Sequence, residues 1–138
     1  VSVRSRPVVE RFEAKVWLPV LWVGSLLSVI LASLWPETGG VDEAMKTLWW
    51  NVVHVPAYGV LTLLTLAAAA QRISLSPAQS LALTLVLTLL GVLLEALQPY
   101  FGRTADLLDA MHNLLGALLA LGVFYLSRWW QGAHHGAG

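Results

Sequence analysis

Glu95, Gln98, Arg103, Asp106, Asp109 and Asn113 crowd into one short stretch of a chain that is otherwise poor in charge. On a helix, positions three and four apart share a face. Glu95 therefore lines up with Gln98, and Asp106, Asp109, Asn113 and Gly116 line up after them. Three carboxylates against one arginine need water, a raised carboxyl pKa, a protonated histidine or a bound cation to balance them away from solvent. Such a set can bind a polar group through convergent hydrogen bonds. It can also hydrolyse or transfer a phosphate, with His54, Glu95 and Asp109 as metal ligands or acid–base groups and Arg103 holding the phosphate. The structural alternative is a clasp: Arg103 bridges Glu95 to Asp109, Gln98 and Asn113 hydrogen-bond between helices, and Gly116 and Ala120 let backbones approach.

The elements that position these residues follow from composition. The 138 residues are 57% hydrophobic and only 12% charged, whereas a soluble domain carries about 25% charge. A monomeric water-soluble globule is thereby excluded. No cysteine is present, which excludes disulfides, thiolate zinc sites and cysteine nucleophiles. A formal net charge of zero gives no basic face for nucleic acid. Between residues 16 and 127 the only charges are Glu37, Asp42, Glu43, Lys46, Arg72, Glu95, Arg103, Asp106 and Asp109. The gaps predict transmembrane helices over 16–35, 48–70, 77–98 and 105–126. The first alone gives roughly 30 Å of helix, the thickness of a bilayer core. No run alternates as a barrel strand would, and no internal repeat is present. The expected fold is all-α: an integral membrane protein with four transmembrane helices in a compact bundle, helices three and four forming an antiparallel hairpin. Residues 1–15 form a basic cytoplasmic segment, 16–127 the membrane domain and 128–138 a disordered cytoplasmic tail, whose His134 and His135 are plain tail residues.

Local signals agree with these spans. Ser76 before Pro77 reads as an N-cap followed by proline at the first helical position. Pro99 ends the third span, 99–104 is a tight turn, and Thr104 is expected to cap the fourth helix with Asp106 in its first turn. Pro56 predicts a kink over 52–56. Trp17, Trp22, Trp35, Trp49, Trp50, Trp129 and Trp130 fall mostly at span ends, as an aromatic belt does. Arg4, Arg6, Arg11, Lys15, Arg72 and Arg128 lie on one side of the spans and only Lys46 and Arg103 on the other. The positive-inside rule then puts both termini in the cytoplasm. A cleaved signal peptide over the first span is disfavoured by its length and its bulky Trp17, Pro19 and Trp22. With this orientation His54 lies roughly 9 Å from the outer surface, Glu95 about 5 Å, and Asp106, Asp109, His112 and Asn113 roughly 2–12 Å. Every carboxylate and imidazole of the last three spans thus falls in the outer leaflet. His112 is the weakest member, because the face set by Asp109 and Asn113 does not require it.

The run over 95–116 resembles the signature of the VanZ-like family of small bacterial membrane proteins. It carries Glu95, Gln98, Arg103, Asp106, Asp109, Asn113 and Gly116 at separations of three, five, three, three, four and three. His54 and Tyr58 resemble the family's second-helix histidine and aromatic. The likeness covers roughly residues 35–126. One departure is plain: relatives carry an Asp-Lys pair four and three residues before that histidine, where this chain has Trp50 and Asn51. Without the lysine the acidic cluster is less compensated.

The resemblance implies a multi-pass protein of the bacterial cytoplasmic membrane, in a family named for a member associated with teicoplanin resistance. It implies a functional cluster of His54, Glu95, Gln98, Arg103, Asp106, Asp109 and Asn113, with Tyr58 and Gly116 structural. It supplies no reaction and no cofactor, and no phosphate-cradling glycine loop or activated nucleophile is present. The expected partners are membrane lipids and a lipid-linked or peptidoglycan-related precursor bound without catalysis, or with marginal catalysis. The alternatives are the hydrolase or phosphotransferase above and an accessory subunit of a larger membrane complex. Homo-oligomers are compatible with either.

Overall fold

The computed structural model describes residues 8–35 and 43–135, with side-chain environments over 17–35 and 53–133. The start of the basic segment, most of the first loop and the last three residues lie outside the described residues. So do the side chains of Trp49, Trp50, Asn51, His134 and His135. The described residues are helical without a strand: α1 (Val8–Leu34), α2 (Glu43–Ala70), α3 (Pro77–Leu97), a 3-10 turn over Gln98–Phe101, and α4 (Leu107–His135). Four stretches are long and apolar enough to cross a membrane: Trp17–Leu34, Val53–Ala70, Pro77–Phe101 and Leu107–Ala133.

Where local chemistry marks an end, the helix ends there. Ser76 Oγ accepts from the Gln79 N–H at 3.2 Å and Gln79 Oε1 accepts from the Ser76 N–H at 2.9 Å, a reciprocal cap with Pro77 beginning the helix. α3 stops at Leu97, two residues before Pro99. The chain then turns through Gly102, whose φ of 75° is left-handed and suits a residue without Cβ. Where only charge marked an end, the helices run further. α1, α2 and α4 extend beyond the expected spans at 16, 48 and 126, because charge limits what enters a membrane but Arg, Lys and Glu are good helix formers. α4 accordingly continues through Arg128, Trp129 and Trp130 to His135, where a disordered tail was expected. Pro56 sits inside α2, which continues through it as one helix. The cap of α4 also differs. Asp106, not Thr104, immediately precedes the helix, and its Oδ1 accepts from the Leu108 N–H at 2.9 Å. A carboxylate at that position serves both the unpaired N–H groups and the positive helix end.

Packing follows small and polar faces more than large apolar ones. Ser80, Thr84, Leu87, Gly91, Leu94 and Glu95 form the buried face of α3. Ser80, Thr84 and Thr88 each donate to the carbonyl four residues back, at 3.1, 2.9 and 3.0 Å. A hydroxyl so satisfied can face a neighbouring helix without an unmet bond. α3 and α4 are tied by Tyr125 Oη donating to Ser80 Oγ at 2.9 Å. At the far end of α3, the Asp106 N–H donates to Glu95 Oε2 at 3.5 Å. The most extensive packing among the described residues is α2 against α4. Its centre is Gly116, which abuts the Val55 carbonyl and the Gly59 backbone.

Val29, Tyr58, Leu61, Leu87 and Leu94 form one apolar core among α1, α2 and α3, and Leu66, Leu75 and Phe124 form a second toward the α2–α3 loop. Trp22 is half-buried and donates from Nε1 to Thr65 Oγ1 at 2.8 Å, joining α1 to α2. Trp17, Trp35, Trp129 and Trp130 are exposed, along with a broad coat of leucine and valine. In water so much exposed apolar surface is a liability; in lipid it is the expected outer face.

Candidate functional site

Three helices and one turn build the polar cluster. α2 supplies His54 and Tyr58 on one face, α3 supplies Glu95 and, at its C-terminal cap, Gln98, the turn supplies Arg103, and α4 supplies Asp109 and Asn113. All seven are buried, with Gln98, Tyr58 and Asn113 at 1% exposure or less. The imidazole of His54 lies between two carboxylates: Nδ1 is 3.3 Å from Asp109 Oδ1 and Nε2 is 3.9 Å from Glu95 Oε1. One donor atom each from His54, Glu95 and Asp109 fit within 4.8 Å of one another. The sequence positions are 41 and 14 residues apart, so only the packing of α2, α3 and α4 makes them neighbours.

Arg103 is held from an unexpected direction. Its Nη1 donates to the carbonyl oxygens of Ala32 and Ser33, each at 3.0 Å. These are among the last carbonyls of α1, where no intrahelical N–H remains to meet them and the helix dipole favours a cation. The guanidinium therefore ties the end of α1 to the turn beside Glu95. Asp106 sits half-buried at the rim, capping α4 and offering its N–H to Glu95. Gly116 stands apart from the polar groups, at the α2–α4 crossing, where its missing side chain sets the helix spacing. His112 is half-buried on α4, and its Nδ1 has no hydrogen-bond partner among the described residues.

Gly91 was not singled out in the sequence. A Cβ there would sit 2.8 Å from Asn113 Nδ2 and 3.0 Å from the Tyr58 ring and hydroxyl. Its absence makes the room in which Tyr58 and Asn113 meet. The signal was available: Gly91 lies four residues before Glu95, on the same face. Ala32 and Ser33 gave no such signal, because a backbone carbonyl is the same in every residue.

Several polar atoms in this region have no hydrogen-bond partner within the protein. They are Tyr58 Oη, both amide atoms of Gln98, Asn113 Oδ1 and His54 Nδ1. Each buried group left unmet costs about 1–3 kcal/mol. Four neighbouring side chains in that state make the region a poor packing solution and a good receptor for water or a polar ligand. No family model matches the chain, nor does any curated protein or solved structure.

Proposed function

We propose that this chain is a multi-pass protein of the bacterial cytoplasmic membrane, VanZ-like in kind, whose polar cluster receives a lipid-linked or peptidoglycan-related group in the outer leaflet. Both termini lie in the cytoplasm, and α3 and α4 form an antiparallel hairpin that presents the cluster outward. Occupancy of the cluster alters how the envelope responds to glycopeptides such as teicoplanin, without need of a chemical step. The observation that carries this reading is the convergence of His54, Glu95, Gln98, Asp109 and Asn113, buried together from three helices, with polar atoms unmet. The charge asymmetry of the sequence supports the orientation.

The close approach of His54 to both carboxylates favours a second reading, a membrane hydrolase or phosphotransferase acting on a lipid-linked phosphate. Expression in a teicoplanin-susceptible bacterium separates the possibilities. Wild type should raise tolerance, and Glu95→Ala, Gln98→Ala and Asp109→Ala at matched membrane abundance should not. Unchanged tolerance with wild type removes the glycopeptide role. Release of phosphate from lipid-linked substrates by purified wild type, abolished in His54→Ala, would replace the first reading with the second.

A further inference from the structure

We propose that His54, Glu95 and Asp109 form a binding site for one divalent transition-metal cation of the zinc class. The inference deepens the reading above by naming what the polar cluster holds, and it rests on geometry that does not depend on which side of the membrane the cluster faces. The donor set is right in kind: one imidazole and two carboxylates, all buried, from three different helices. Zinc takes such ligands at about 2.0–2.2 Å and leaves further positions for water or substrate when the protein supplies three.

The separations decide between a cation and a simple hydrogen-bonded packing group. Two ligands at tetrahedral angles around one ion of that size stand roughly 3.3–3.6 Å apart. His54 Nδ1 and Asp109 Oδ1 are 3.3 Å apart, yet Nδ1 makes no hydrogen bond in the structure. The pair has the spacing of two ligands without a hydrogen bond between them. The His54 side chain is only 8% exposed and presents one ring nitrogen to each carboxylate. A neutral imidazole carries a single N–H and can donate to only one of them. With Nδ1 making no hydrogen bond, the ring does not join the two carboxylates by hydrogen bonds alone, and a cation among the three groups gives that nitrogen a ligand's role. The separations reach at most 4.8 Å, roughly 1.2–1.5 Å beyond the tetrahedral spacing. Rotation of Glu95 about its side-chain bonds is the movement that closes this gap. Arg103, held by the α1 carbonyls, offsets part of the carboxylate charge. With Asp106 at the rim counted, three carboxylates stand against one guanidinium, and one divalent ion cancels the remaining formal charge.

The test uses the full chain carrying His134→Ala and His135→Ala, which removes tail imidazoles able to bind zinc adventitiously. The protein is purified in mild detergent, stripped with chelator and titrated with Zn2+ by calorimetry, with metal content measured by elemental analysis. One Zn2+ per chain is expected. Asp109→Asn and Glu95→Gln, which keep shape and remove charge, should each weaken binding by more than about 100-fold, since even indirect support of a ligand is worth 10–100-fold. Circular dichroism confirms that each variant is folded. Replacement with Co2+ should give visible absorption that His54→Ala abolishes; if that variant does not fold, the isosteric His54→Gln takes its place. Failure of the wild-type chain to bind zinc, or equal binding by the carboxylate variants, overturns the inference and leaves the three side chains as a packing group. A zinc-free chain that still raises teicoplanin tolerance sinks the metal site and leaves the functional reading. Stoichiometric zinc in a chain without effect on tolerance sinks the functional reading and leaves the metal site.

Discussion

Gly116→Ala tests the geometry that brings α2 and α4 together. The added Cβ would run into the Val55 carbonyl oxygen, with the Val55 carbonyl carbon at 3.0 Å and the Gly59 nitrogen at 3.1 Å. All three neighbours are backbone, so no side chain can turn away. α2 and α4 must separate by on the order of 1 Å to restore ordinary contacts of about 3.5–4 Å. Overpacking of this kind costs about 1–3 kcal/mol, and rigid neighbours place Gly116 at the upper end. Alanine recovers up to about 1 kcal/mol through helix propensity, so the expected net loss is about 2 kcal/mol. Two glycines serve as internal controls. At Gly59 the nearest atom to a new Cβ is the Gly116 oxygen at 3.4 Å, and at Gly122 nothing lies within 4 Å. The order of stability in reversible denaturation, in one detergent, should be Gly122→Ala at or above wild type, Gly59→Ala between, and Gly116→Ala lowest. Val55 adjoins His54, and Gly116 lies on the Asp109 and Asn113 face, so separation at the crossing should also weaken the cluster. Gly116→Ala as stable as Gly122→Ala would refute the reasoning.

Two further outcomes follow from the same structure. Arg103→Lys keeps the charge but not the planar reach to the carbonyls of Ala32 and Ser33. Losing two charge-assisted bonds should lower stability by about 2–4 kcal/mol, against about 0.5 kcal/mol or less for the exposed Arg72→Lys, read by the same denaturation assay. The orientation is tested by cysteines in this cysteine-free chain, at exposed Thr104 and exposed Ser74. A membrane-impermeant maleimide should label Thr104→Cys in intact spheroplasts and Ser74→Cys only after lysis, once both are shown reactive in detergent; the reverse pattern places the cluster at the cytoplasmic face.

Much of this architecture was written in the distribution of charge. Long uncharged gaps mark what can cross a bilayer, and Ser76, Pro77 and Pro99 mark helix ends through backbone chemistry that acts locally. The site residues were legible because spacings of three and four put Glu95 with Gln98, and Asp109 with Asn113, before any tertiary contact is considered. What escaped the sequence was carried by groups that look alike in every residue or by the absence of atoms. The carbonyls of Ala32 and Ser33 that hold Arg103 belong to the backbone. Gly91 and Gly59 matter for the Cβ they lack. The continuation of α4 to His135 was hidden because charge reports on the membrane boundary and not on the helix. Asp106 displaced Thr104 as the cap since both are competent and only the turn through Gly102 fixes which one meets the Leu108 N–H. The type of Trp22 fits a membrane-boundary residue, and only the packing against α2 shows that its indole N–H bonds Thr65.

The central claim is that the buried cluster of α2, α3 and α4 receives the polar part of a membrane-borne group. A mass spectrum of the lipids that co-purify with the chain in mild detergent tests it most directly, comparing wild type with Gln98→Ala and Asn113→Ala, whose parent side chains carry unmet polar atoms. One lipid-linked or peptidoglycan-related species should be enriched with wild type and depleted with both variants, while bulk phospholipid is unchanged. Identical lipid profiles for all three proteins would contradict it.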